Sequence, residues 1–213
     1  MNRRECLTGI VGLVAGATAA RAQDAPKAEP PMIAAPDPNT NTPDFKLPLG
    51  AIDTHTHIFG PASKYPFAAD RTYSAPEAPL SMFREVHAKI GCDRAVIVNA
   101  TIHGTDNRVV TDAIAQYPGQ YKGIAVVAGT ITDAELDALD KAGMRGCRFA
   151  FLKRLGGVKD MAAFNRLAHR AAEIGWIIDL YLDPGSVPEF TPLLTGLPGT
   201  YVIDHMATVQ AAK

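Results

Sequence analysis

A chain of 213 residues, 47% hydrophobic and 20% charged, has the apolar content for one sizeable core, and its net charge of −1 offers no basic excess to a polyanion. Nucleic acid is therefore not an expected partner.

The first 22 residues read as an export signal: a basic start at Arg3 and Arg4, small apolar residues from Leu7 to Ala20, and an Ala20-Arg21-Ala22 cleavage pattern before Gln23. The run Arg3-Arg4-Glu5-Cys6-Leu7 is similar to the twin-arginine export motif, with Cys6 where Phe is usual. Cleavage predicts a periplasmic protein with no stable membrane anchor and a net charge of −3, from 18 basic and 21 acidic residues. Residues 23–49 hold seven prolines among polar residues and predict an extended, disordered linker. Cys92 and Cys147, which remain after cleavage, read as small buried hydrophobes; nothing in the sequence requires a disulfide.

From Gly50 to Lys213, β-branched runs alternate with amphipathic ones. Strands are predicted over 51–58, 94–100, 123–127, 146–151, 176–182 and 200–205, and helices over 81–90, 106–117, 133–142, 160–174 and, more weakly, 187–194. Asp106, Thr132 or Asp133, and Asp160 are the predicted N-caps, and Gly91, Gly143 and Gly175 the helix stops. Alternating strands and helices imply parallel pairing, and no Gly-rich phosphate turn follows the first strand. The expected fold is a TIM-type (β/α)₈ barrel, incomplete here with about six βα units. Its 164 residues compare with about 250 for a typical barrel. Such an open wall is expected to leave apolar strand edges uncovered.

The chemistry concentrates in Asp53-Thr54-His55-Thr56-His57. Strand alternation predicts Asp53, His55 and His57 on one face, with the imidazoles about 7 Å apart. Two such rings can converge on a divalent metal such as zinc or polarise one substrate carbonyl. Arg148, on the strand side opposite Phe149 and Phe151, needs an anionic partner. His205 ends the apolar run Tyr201-Val202-Ile203, and alternation predicts that its neighbour Asp204 points to the other face. His87 and His169 read as surface or packing residues, and His103 as a loop residue near the pocket.

The stretches Ile52-Asp53-Thr54-His55-Thr56-His57-Ile58-Phe59-Gly60-Pro61, Tyr65-Pro66-Phe67 with Arg71 and Tyr73, His103-Gly104-Thr105-Asp106-Asn107, Gly146-Cys147-Arg148-Phe149 and Ile203-Asp204-His205-Met206 together resemble the amidohydrolase-related family (amidohydrolase family 2), in its 2-pyrone-4,6-dicarboxylate lactonase branch. The resemblance implies an enzyme that opens a carboxylated lactone. His55, His57 and His205 would surround the scissile carbonyl. Arg148 and Arg154 would hold substrate carboxylates, with Tyr73, Thr101 and Tyr181 as smaller polar contacts. No cofactor is required in that reading. The resemblance also implies a water-activating carboxylate at the end of an eighth strand, a position expected beyond Lys213, which puts the activity of these 213 residues in doubt. Two other readings stay open: a metal-dependent decarboxylase or amidohydrolase of the same superfamily, with His55, His57 and His205 on the ion, and a catalytically inactive dicarboxylate binder.

Overall fold

A computed structural model describes residues 29–155 and 157–210; the predicted signal and the start of the linker lie outside these residues. Six strands, β1 (Ile52–Thr56), β2 (Arg94–Val98), β3 (Tyr121–Ala125), β4 (Met144–Ala150), β5 (Ile177–Tyr181) and β6 (Tyr201–Ile203), form one parallel sheet in chain order. The intervening helices are α1 (Leu80–Ile90), α2 (Arg108–Gln116), α3 (Asp133–Lys141), α4 (Met161–Glu173) and α5 (Val187–Gly196). Each strand pairs with its successor, so the sheet curls into the wall of an incomplete TIM-type barrel. The core lies between wall and helices: Ala95, Ile97 and Cys147 on the strands meet Val110, Phe164 and Leu167 on the helices, all buried.

Two strands begin two residues earlier than predicted, at Tyr121 and Met144. Gly123 and Gly146, read as strand starts, lie inside strands because their neighbours need the space. A Cβ on Gly123 would stand 2.7 Å from Val110, and one on Gly146 2.6 Å from Ile124. Thr132 closes a capping box with Glu135, and Asp160 accepts from the Ala163 N–H at 2.9 Å. Asp106 is not the N-cap of α2; that position belongs to Asn107. Asp106 instead takes the Arg108 N–H at 3.1 Å and clasps the Arg108 guanidinium. Cys92 and Cys147 are free and buried, and burial pushes the Cys147 thiol up to about 12.

The linker, over its described part, is extended and laid on the domain. Ile33 and Ser74 pair through the backbone at 2.9 Å, and Lys89 Nζ donates to the Thr40 carbonyl at 3.0 Å. Among the described residues no helix is long and apolar enough to cross a membrane.

Among the described residues β1 and β6 each have one strand neighbour, and there Ile52 and Val202 are 47% and 46% exposed. Unpaired apolar edges bind other apolar surfaces. The 213-residue chain should therefore enhance the fluorescence of a hydrophobic dye or self-associate in light scattering; a monodisperse chain without dye response would show that these edges are covered in solution.

Candidate active site

The side chains that matter gather at the C-terminal ends of the strands. β1 carries a bulge: Asp53 pairs with Ala95 and Thr56 with Ile97, so three steps on β1 answer two on β2. The extra residue breaks the predicted alternation. Asp53 faces α1, where His87 Nε2 lies 3.1 Å from its carboxylate, while His55 turns into the barrel. The expectation of Asp53, His55 and His57 on one face is thus corrected for Asp53.

His55 and His57 stand edge to face with ring centroids 5.1 Å apart, and His205 lies 4.9 Å from His55. His57 Nδ1 donates to the Val98 carbonyl at 2.8 Å. Burial pushes His57 down to about 4, against that bond, so the ring is neutral at physiological pH.

Arg148 projects inward from β4 with 4% of its side chain exposed, and its anionic partner is internal: Nη2 sits 2.6 Å from Asp204 and Nε 3.8 Å from Asp179. The same guanidinium lies 4.8 Å from the Tyr181 ring and reaches His205 Nε2 at 3.4 Å, where the guanidinium can only donate. Arg154 follows β4 in a 3₁₀ turn and donates to the Tyr181 hydroxyl at 3.0 Å, so Tyr181 links the two arginines. Thr101 lines a cavity of about 380 Å³ together with Arg148, Phe149 and Lys159. Tyr73 packs on a small apolar cluster of Ala75, Ala100 and Ile102 that also holds Phe59, whose ring lies 5.9 Å from that of His57. His103 is buried between Phe59 and Phe67, and His169 is exposed on α4.

Asp204 corrects a second expectation. The strand ends at Ile203, and His205, Met206, Ala207 and Thr208 all have positive φ, between 49° and 58°. Alternation no longer applies there. Asp204 turns inward, 3% exposed, with Oδ1 3.0 Å from His55 Nδ1, and the left-handed turn folds His205 back over the barrel mouth. Left-handed backbone costs a side-chain-bearing residue about 1–2 kcal/mol. Met206, 82% exposed, makes little use of its side chain. Met206→Gly should therefore raise the thermal midpoint; a fall would mean that the Met206 side chain holds the turn.

Sequence reasoning missed Asp179 and gave Asp204 the wrong face. The available signal was a lone carboxylate in each of two apolar strand runs, Ile177-Ile178-Asp179-Leu180 and Val202-Ile203-Asp204, with Asp179 in register beside Arg148. Burial, then the contact with Asp204, pushes Asp179 up to about 8. Burial also works to raise Asp204, but His55, Asp179 and Arg148 outweigh it and hold the carboxyl at about 2. The pair therefore carries one proton near neutrality, on Asp179.

His55, Asp204 and His205 bring ligand atoms within 4.8 Å of one another, the spacing of a possible metal group. Arg148 nevertheless lies among those donors, 2.6 Å from Asp204 and 3.4 Å from His205 Nε2. A fixed guanidinium already neutralises the carboxylate and repels a divalent cation. As arranged, these residues do not fit a metal ion.

A parallel wall with reactive side chains collected at the strand C-termini is the working end of a barrel enzyme. The amidohydrolase family model matches residues 52–212, and the chain belongs to that family. It is 40% identical over 175 residues to a 2-pyrone-4,6-dicarboxylate hydrolase of Comamonas testosteroni, covering 82% of this chain and 57% of that protein. A 4-sulfomuconolactone hydrolase of Hydrogenophaga intermedia is 33% identical over 184 residues, covering 86% and 61%. The crystal structure of a probable 2-pyrone-4,6-dicarboxylic acid hydrolase from Acinetobacter baumannii with citric acid bound superposes with TM-score 0.67 at 28% identity, covering 75% of this chain and 59% of that one. The chain thus spans about three-fifths of the length of these relatives.

Proposed function

We propose that this site opens the ring of a carboxylated lactone by adding water to its carbonyl. The observation that carries the reading is the meeting of Arg148 with His55 and His205 around a buried carboxylate, in a chain similar to two hydrolases named for acidic lactone substrates. Arg148, with Arg154 joined to it through Tyr181, offers cationic N–H groups to carboxylates. Arg148 and the His205 ring beside it are placed to stabilise the oxyanion that forms when the carbonyl is attacked. Neutral His57, its Nδ1–H spent on Val98, holds its neighbours in place and offers a lone pair.

Purified protein should open 2-pyrone-4,6-dicarboxylate or another acidic lactone of a panel, with loss of the ring chromophore. His205→Ala should lower kcat/KM by about 10²-fold or more, the scale of a lost oxyanion donor. A folded protein that opens no member of the panel, or a His205→Ala variant with full activity, would contradict the reading.

The reaction in this reading needs no metal, because Arg148 fills the electrophilic role among the candidate ligands. Turnover should survive dialysis against a chelator. A stoichiometric metal found by elemental analysis, lost together with turnover on chelation, would favour a metal-dependent decarboxylase or amidohydrolase instead.

The leader motifs place this chemistry in the periplasm in our reading, and N-terminal sequencing of the exported protein should begin at Gln23.

A further inference from the structure

We propose that Asp53 and His87 form a brace on the helix side of the wall that holds the β1 bulge and so turns the His55 ring into the barrel; what that ring then does rests on the lactone-opening reading above. Asp53 spends each carboxylate oxygen on a different element. Oδ1 accepts the His55 backbone N–H at 3.1 Å, and Oδ2 lies 3.1 Å from Nε2 of His87 on α1. One side chain thereby ties a helix to the backbone of the first site histidine.

The pairing of β1 with β2 explains why that tie is needed. Between the pairs Asp53 with Ala95 and Thr56 with Ile97, β1 has Thr54 and His55 where β2 has Val96 alone. In a regular strand residues 53 and 55 share a face, and a slip of one residue carries a side chain to the opposite face. The bulge separates them. Asp53 faces α1, while the His55 ring stands 5.1 Å from that of His57 and 4.9 Å from that of His205 between centroids. Without the carboxylate β1 is free to straighten, and a straight β1 puts one of the two side chains on the wrong side. Asp53 turned inward would add a third carboxylate to Asp179 and Asp204; His55 turned outward would give up its contact with Asp204.

The anchor is rigid. The His87 side chain is 5% exposed and its ring centroid lies 3.9 Å from that of Phe83. Its carbonyl accepts the Cys92 N–H at 3.0 Å, where Gly91 closes α1. A carboxylate oxygen accepts, so the shared hydrogen sits on His87 Nε2, and Nδ1 is buried with no hydrogen-bond partner among the described residues. A histidine whose helical setting suggested packing alone is thus the anchor of the first strand of the site. Asp53 and His87 touch no reacting atom, so both are positioning residues.

The chain has six histidines, so a ¹³C,¹⁵N-histidine-labelled sample of the whole protein gives a readable ring NMR spectrum, with His55→Gln, His87→Gln and His205→Gln assigning the signals. The His55 and His205 ring protons should show a mutual nuclear Overhauser effect, and His87 should show a protonated Nε2 and a bare Nδ1. Asp53→Ala should abolish the contact between His55 and His205. Asp53→Asn should keep it, because the amide oxygen still accepts the His55 N–H while its NH₂ donates to His87, whose hydrogen moves to Nδ1. On a carboxylated lactone, Asp53→Ala should lower kcat by about 10²-fold, the scale of a misplaced reacting group, with KM changed by less than about threefold because Arg148 and Arg154 stay in place. Asp53→Asn should recover most of that loss. If an unpaired His87 prevents Asp53→Ala from folding, the double variant Asp53→Ala with His87→Leu removes the orphaned donor and carries both measurements. A ring contact kept in the alanine variant, or a kcat kept there, would overturn the brace; a pair that only stabilised the fold would lower the urea midpoint and move neither. A protein whose ring contacts follow the expected pattern but which opens no lactone would instead sink the lactone-opening reading, since the contacts do not depend on turnover.

Discussion

Replacing Arg148 with leucine should cost the fold about 3–5 kcal/mol, the scale for removing one partner of a buried ion pair. Arg148 is the counter-charge for the ionised Asp204, beside the protonated Asp179, and both have almost no access to water, with side chains 2% and 4% exposed. Without the guanidinium, Asp204 must either stay ionised in an apolar interior or take up a proton and lose its grip on His55. Leucine cannot satisfy either oxygen. Urea unfolding of the variant should show a lower midpoint, and Arg148→Lys should recover only part of the loss, since an ammonium cannot span both carboxylates as the planar fork does. A loss below about 1 kcal/mol in Arg148→Leu would mean that the pair is open to solvent and that the site is looser than described.

Stability should fall as pH rises from about 6.5 to about 8, and Asp179→Asn should flatten that fall. The sign follows from proton counting. Asp179 is raised from 3.8 to about 8, so between those values the folded chain holds a proton that the unfolded chain has released. Its contribution is fully present below about 4 and is lost as pH rises through about 8. Asp204, lowered from 3.8 to about 2, acts oppositely: its contribution is present above about 4 and lost as pH falls through about 2. His57, lowered from 6.5 to about 4, and His103 and His205, also lowered by burial, oppose Asp179 up to about pH 6.5, so the Asp179 slope emerges between about 6.5 and about 8. One proton corresponds to a slope of at most about 1.4 kcal/mol per pH unit. Urea midpoints at several pH values, for the parent and for Asp179→Asn, measure it. A parent profile that does not fall between about 6.5 and about 8, or an Asp179→Asn profile with the parent's slope there, would show that Asp179 is ionised in the folded state.

The strand and helix alternation was legible because each element carries its own period and stop signals: Thr132 with Glu135 opens α3, and Gly91 at φ 75° ends α1. Chain-order pairing followed from the same alternation. The site was legible as far as it depends on residue type. A histidine pair at the end of an apolar run and an arginine inside a strand announce chemistry wherever they fall, and the structure brings His55, His57, Arg148 and His205 to one barrel mouth. What failed were two deductions from alternation, Asp53 with His55 and Asp204 away from His205. Both break where the backbone stops being a regular strand, at the bulge in β1 and at the left-handed turn after Ile203. Neither irregularity has a glycine to mark it, so side-chain period alone could not reveal it. Asp179 was missed for a different reason: its role depends on Arg148 in the next strand, and register is a property of the sheet.

The central claim is that water adds to a lactone carbonyl at the His55, Arg148 and His205 cluster, and the fate of the water oxygen tests it most directly. The reaction is run with purified protein and a carboxylated lactone in ¹⁸O-water, and the product is weighed by mass spectrometry. One ¹⁸O should appear in the newly formed carboxylate, with every carbon of the substrate retained and with no label incorporated by His55→Ala or His205→Ala beyond the uncatalysed rate. Release of carbon dioxide, or a ring-opened product without ¹⁸O, would contradict hydrolysis at this site.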